Sequence, residues 1–100
     1  MNQSETQDLI VKTCDEIRDM LLRKNAAYGN SALEPMRVFS KAAADEQLNV
    51  RIDDKLSRLV RGHAGGEDVE LDLIGYLMLK QVWRRMNPPK NTINTANLDG

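Results

Sequence analysis

Glu67-Asp68-Val69-Glu70-Leu71-Asp72-Leu73-Ile74-Gly75-Tyr76-Leu77-Met78-Leu79-Lys80-Gln81-Val82-Trp83-Arg84-Arg85-Met86 is the stretch whose reading decides the fold. Acids stand in its first turn, Arg84 and Arg85 in its last, and Pro88-Pro89 lie just beyond. A helix dipole favours that order of charges, and proline ends a helix because it lacks an N–H and clashes with the preceding turn. A helix over residues 67–86 is therefore expected. Its apolar side chains, Val69, Leu71, Leu73, Ile74, Tyr76, Leu77, Met78, Leu79, Val82, Trp83 and Met86, occupy nearly the whole circumference. A helix on the outside of a small monomer cannot bury such a surface, so a homodimer or higher self-assembly is expected. Asp72 interrupts an apolar run far shorter than the ~20 residues of a membrane span, which argues against a spanning segment.

Upstream, His63-Ala64-Gly65-Gly66 reads as a hinge. Gly62 is placed to end a helix over residues 50–61, with Ile52, Leu56 and Leu59 facing inward. Residues 45–49 form a polar break. Before it, Pro35 suits a first helical turn, where its missing N–H is not needed. Met36, Phe39, Ala42 and Ala43 then give a short apolar face, and so a helix over residues 35–44. Asn25-Ala26-Ala27-Tyr28-Gly29-Asn30-Ser31 reads as a loop, because Gly and Asn accept turn conformations closed to other residues. The first helix covers residues 6–24: Ser4-Glu5-Thr6-Gln7 has capping-box spacing, and Ile10, Cys14, Ile17 and Leu21 recur every three or four residues. Cys14 is thus expected as a small buried packing group. No strand-type alternation or internal repeat appears. The expectation is an all-α protein with a single domain over residues 1–89. It is a small four-helix bundle completed by homo-oligomerisation, with a polar, disordered tail over residues 90–100.

Composition bounds the function. At 100 residues, 41% hydrophobic and 29% charged, the chain falls in the globular range rather than among disordered or membrane chains. A net charge of -1 gives no general attraction for phosphodiester backbones, so nucleic acid is not expected as a partner. The single cysteine excludes an internal disulfide. Residues 1–8 are polar and mildly acidic, unlike the basic and then apolar start of a secretion signal, which points to the cytoplasm.

Candidate chemistry lies on the later helices and the first loop. Arg51, Lys55 and Arg58 are spaced four and three apart and share one stripe beside the apolar one. Aligned cations repel unless they share an anion, either a polyphosphate or neighbouring carboxylates; otherwise they form a solvated face helped by Asp54 and Arg58 at i,i+4. On the last helix Asp68 and Asp72 share a face with Gly75 and Leu79. A carboxylate amid Leu71, Leu73 and Ile74 is costly to bury alone, so it is answered by an ion pair with Lys55 or Arg58, or by a hydrated Mg2+ carrying substrate phosphates. In the first loop Lys24, Asn25, Tyr28, Asn30 and Ser31 bring together a charge, an aromatic ring and amides. Such a set suits stacking on a base and reading its edge, although Tyr28 would equally serve as a plug in the bundle. His63 suits a cation at a helix C-terminus better than a general acid. The chain has no Gly-rich phosphate loop, no Cys/His cluster for zinc and no Ser-His-Asp set.

Taken in order, four motifs carry a resemblance: Lys24-Asn25-x-x-Tyr28-Gly29-x-Ser31, Phe39-Ser40, Arg51-Ile52-x-Asp54-Lys55-Leu56-x-Arg58-Leu59 and Asp68-x-x-x-Asp72-Leu73-x-Gly75-Tyr76. Together they resemble the nucleotide modification associated domain 1 family of bacteriophages and bacteria, over residues 24–81. The resemblance implies phage nucleotide metabolism in the host cytoplasm. It also implies a layout similar to the MazG-like all-α nucleoside triphosphate pyrophosphatases, in which acids on two helices hold Mg2+ against the phosphates. On that basis Asp72, Asp68 and Lys55 form the catalytic set, with Asp68 and Asp72 holding metal or orienting water. Arg51, Lys55 and Arg58 hold phosphate oxygens, and Lys24, Asn25, Tyr28 and Ser31 read the nucleoside. The Glu-x-x-Glu signature of the MazG-like enzymes is not matched, since Asp53 and Asp54 stand at that place. The expected activity is that of a nucleotide pyrophosphohydrolase or a nucleotide kinase-like phosphotransferase acting on a deoxynucleoside phosphate. A non-catalytic oligomer that sequesters a nucleotide or cyclic nucleotide signal is the alternative, and a helical protein-interaction module a further one.

Overall fold

A computed structural model describes residues 1–62 and 68–89; the expected hinge at residues 63–66 and the tail at residues 90–100 lie outside them. The fold is all-helical, with α1 (Gln3–Tyr28), α2 (Ala44–Arg61) and α3 (Val69–Met86). No helix among the described residues is long and apolar enough to cross a membrane.

The first helix is longer at both ends than its periodicity indicates. Its cap is Asn2, whose side-chain oxygen accepts the Glu5 N–H at 2.8 Å while its amide nitrogen reaches Glu5 Oε1 at 3.3 Å. Asn2 thus caps the helix in place of Ser4, with the Glu5 carboxylate bonded to the Asn2 side-chain amide rather than to its backbone N–H. At the other end Asn25 to Tyr28 continue the helix instead of starting a loop. Ala26 and Ala27 are strong helix formers, and the Asn25 amide satisfies the helix end by donating to the Gly29 carbonyl at 3.2 Å and Asn30 Oδ1 at 2.9 Å. Gly29, at φ 66° and ψ -153°, turns the chain away.

The helix expected over residues 35–44 is not formed. Met36, Val38 and Phe39 point to solvent, so a piece of fewer than three turns would lack the packing that makes short helices persist. Lys41 Nζ instead donates to the carbonyls of Arg37 at 3.0 Å and Val38 at 3.2 Å, closing a compact loop. The break expected at residues 45–49 is the opening of α2, where Asp45 and Glu46 suit the helix N-terminus. It carries Leu48, the most deeply buried large side chain, at 1% exposure.

The core is thin, as a chain of this size requires. Among the described residues its buried apolar side chains are Leu33, Ala44, Leu48, Ile52 and Val69, and α2 packs on α3 more extensively than α1 does. The buried face of α2 therefore runs through Leu48, Ile52 and Lys55, and Leu56 and Leu59, expected inside, are 45% and 41% exposed. Helix α1 meets α3 only over a short stretch and has no buried residue, so Cys14, expected inside, is exposed.

That stretch centres on Gly75, where an added Cβ would lie 3.2 Å from Leu21 Cδ2 and 3.8 Å from Met20 Cε. Gly75→Val should force α1 outward and destabilise the protein by about 1–3 kcal/mol, read by urea unfolding.

Candidate functional site

Asp72 stands in the first turn of α3, and its side chain is 24% exposed. Its Oδ1 accepts from Lys24 Nζ of α1 at 3.3 Å, and its Oδ2 pairs with Lys55 Nζ of α2 at 3.2 Å. One carboxylate therefore ties all three helices together. The two lysines differ in setting. The Lys55 side chain is 11% exposed, whereas that of Lys24 is 52% exposed and able to swing into solvent. The helical register explains the pairing: Lys55 follows Leu48 and Ile52 by seven and three residues on the inward face of α2, where a lysine needs an anion.

Beside this triad lies a cleft of about 390 Å³ between the end of α1, the segment after it and α3. Met20, Leu21, Leu71 and Leu79 give it an apolar lining around Gly75, where the absent side chain leaves space. Lys24, Asn25, Ser31, Arg51 and Asp72 supply its polar groups. Tyr28 lines it while remaining 74% exposed. Also in the lining, the Arg51 guanidinium lies 5.8 Å from the centroid of the Tyr76 ring, within cation–π range.

Most residues singled out by sequence converge here: Lys24, Asn25, Tyr28, Ser31, Arg51 and Asp72 line the cleft, with Lys55 gripping Asp72 from α2. Two stand elsewhere. Arg58 pairs with Asp54 at 3.2 Å along α2, and Asp68 caps α3, its Oδ1 accepting the Leu71 N–H at 3.0 Å. Neither lines the cleft. Among the described residues no group of three or more His, Cys, Asp or Glu comes together.

Tyr76 and the apolar lining carry no motif of their own in the sequence that marks them as site residues. The available signal was spacing, since Tyr76 follows Asp72 by four residues, as Lys55 follows Arg51.

An anion entering the cleft would meet Lys24 and Arg51 with their charges partly exposed, and a flat ring would meet Tyr28, Tyr76 and the aliphatic lining. The arrangement can thus hold a ligand with one anionic and one planar end. Comparison with family models, with curated proteins and with solved structures gave no match to this chain.

Proposed function

We propose that the cleft binds a deoxynucleoside phosphate, with the phosphate at Lys24 and Arg51 and the base against Tyr28, Tyr76 and the aliphatic lining. The observation that carries this reading is the sharing of Asp72 between a buried and an exposed lysine at the edge of the cleft. A phosphate dianion can draw the exposed Lys24 from Asp72, leaving the pair with buried Lys55 in place. Arg51 then supplies planar, bidentate donors. The cleft-lining residues Lys24, Asn25, Tyr28, Ser31, Arg51 and Asp72 belong to the motifs set out above, and a place in phage nucleotide metabolism is part of the same proposal.

As an enzyme the protein would hydrolyse a phosphoanhydride or transfer a phosphoryl group, reactions in which positioning and charge neutralisation dominate. Asp72 would then orient the attacking oxygen, with Lys55 fixing Asp72 and Asp68 standing one turn away. Asp68 and Asp72 are the residues through which a hydrated Mg2+ would be held, neutralising phosphate charge. Both Asp72 oxygens face ammonium groups and Asp68 Oδ1 caps α3, so direct contact of Lys24 and Arg51 with phosphate is the better-supported mode. The same observation favours a second reading, an oligomer that sequesters the nucleotide or a cyclic nucleotide signal without turnover. Self-association is part of both readings, because Leu77, Met78, Val82 and Met86 of α3 remain 41–46% exposed.

The test is to incubate purified protein with each deoxynucleoside mono- and triphosphate, with and without Mg2+, and to follow both binding and product. Turnover abolished by Asp72→Asn supports the enzyme. Binding with unchanged ligand supports sequestration, and silence in both assays removes the nucleotide reading.

A further inference from the structure

The charges around the cleft set how much anion it can take. Among the described residues its lining carries two cations, Lys24 and Arg51, and one anion, Asp72. The carboxylate is already answered from α2 by Lys55 at 3.2 Å, whose side chain is 11% exposed, so that pair stays neutral when a ligand arrives. What remains for the ligand is two positive charges. The Arg51 guanidinium is steadied by the Tyr76 ring 5.8 Å away, and the Lys24 ammonium, 3.3 Å from Asp72 Oδ1, is the one that can swing. Elsewhere the walls are neutral. Met20, Leu21, Leu71 and Leu79 are apolar, and the Asn25 amide is engaged with the Gly29 carbonyl and Asn30 Oδ1. The volume of about 390 Å³ lies at the small end of the ~300–1,000 Å³ of ligand clefts.

We infer that the cleft is matched to a deoxynucleoside monophosphate in its dianionic form, in preference to the di- or triphosphate and without a metal ion. The inference rests on the nucleotide reading above and fixes how many phosphoryl groups the ligand carries. A phosphate monoester bears a charge of about -1.5 to -2 at pH 7, which Lys24 and Arg51 balance. Each further phosphoryl group adds roughly one more negative charge, for which the described lining offers no third cation, and sets it near the Asp72 carboxylate. A divalent cation commonly neutralises such a chain of phosphates. Here both Asp72 oxygens face ammonium groups and Asp68 Oδ1 accepts the Leu71 N–H, so a metal would have to displace an ion pair or a helix cap. The monophosphate needs neither.

Isothermal titration of the purified chain with the mono-, di- and triphosphate of one deoxynucleoside, first in a metal chelator and then in Mg2+, measures the preference. The monophosphate should bind about 10-fold or more tightly than the triphosphate in chelator, and Mg2+ should not reverse the order. Its second ionisation lies near pH ~6, so its affinity should fall about 5-fold or more from about pH 7.5 to about pH 5.5 as the ligand loses a charge. The methyl ester of the same monophosphate, a monoanion throughout, should bind at the weaker level at both pH values. A triphosphate bound as tightly as the monophosphate, in chelator or only with Mg2+, overturns the inference and leaves the nucleotide reading standing. A methyl ester bound as tightly as the dianion does the same. Failure of all three nucleotides to bind overturns both.

Discussion

Asp72→Ala should lower stability by about 2–3 kcal/mol and the thermal midpoint by about 10–15 °C, although Asp72 lies outside the apolar core. The loss arises on Lys55, whose side chain is 11% exposed and pairs with Asp72 at 3.2 Å. Removing the carboxylate takes from this largely buried ammonium the anion it pairs with on α3. Lys24→Ala removes a partner of the same carboxylate at nearly the same distance, yet it should cost less than about 1 kcal/mol, because the Lys24 side chain is 52% exposed. The contrast separates burial from distance. Replacing both partners of this pair, as Lys55→Met with Asp72→Leu, should recover most of the stability lost in Asp72→Ala while removing the charge from the cleft. Thermal unfolding of the three variants beside the wild type measures all of these values.

Leu48→Ala should be at least as severe, at about 2–5 kcal/mol. Leu48 is 1% exposed at the centre of a core with only a handful of buried apolar side chains, so few neighbours can relax into the space it leaves. A protein with total stability in the usual range of ~5–15 kcal/mol would then stand close to unfolding at 37 °C. Urea titration of the variant should give a lower midpoint with an unchanged slope, because the surface exposed on unfolding is nearly the same.

Leu48 also shows where the sequence was hard to read. It sits between polar residues, in Glu46-Gln47-Leu48-Asn49, and local composition suggests a break. The register that buries it becomes apparent only when Ile52 and Lys55 are added at four and seven residues, which requires accepting a lysine as an inward residue. An ammonium is admitted there because Asp72 arrives from α3, a tertiary fact that no local pattern contains. The dipole and proline signals of α3 were strong enough to mark that helix, and Gly62, at φ 74°, ends α2 as its position indicates. The segment at residues 35–43 went the other way. Its apolar residues have helical spacing, but they find nothing to pack against within the protomer, and the Lys41 clamp offers the backbone another set of bonds.

The site was legible as a set of residues more than as a geometry. Opposite charges on adjacent helices and an aromatic, amide-rich segment after α1 pointed to the groups that line the cleft. The positions of Arg58 and Asp68 could not be read in the same way. Arg58 has an i,i+4 carboxylate within reach, and Asp68 has the backbone donors of a helix start. Local partners of that kind compete with a site for the same side chains.

The most direct test of the central claim, that the cleft beside Asp72 holds a nucleoside phosphate, is to titrate ¹⁵N-labelled protein with a deoxynucleoside monophosphate and follow the amide resonances. The account predicts saturable shifts concentrated at Lys24, Tyr28, Ser31, Arg51, Asp72 and Tyr76, and their loss in Lys24→Gln with Arg51→Gln. Shifts confined to surface lysines far from the cleft, or none at millimolar nucleotide, would contradict it.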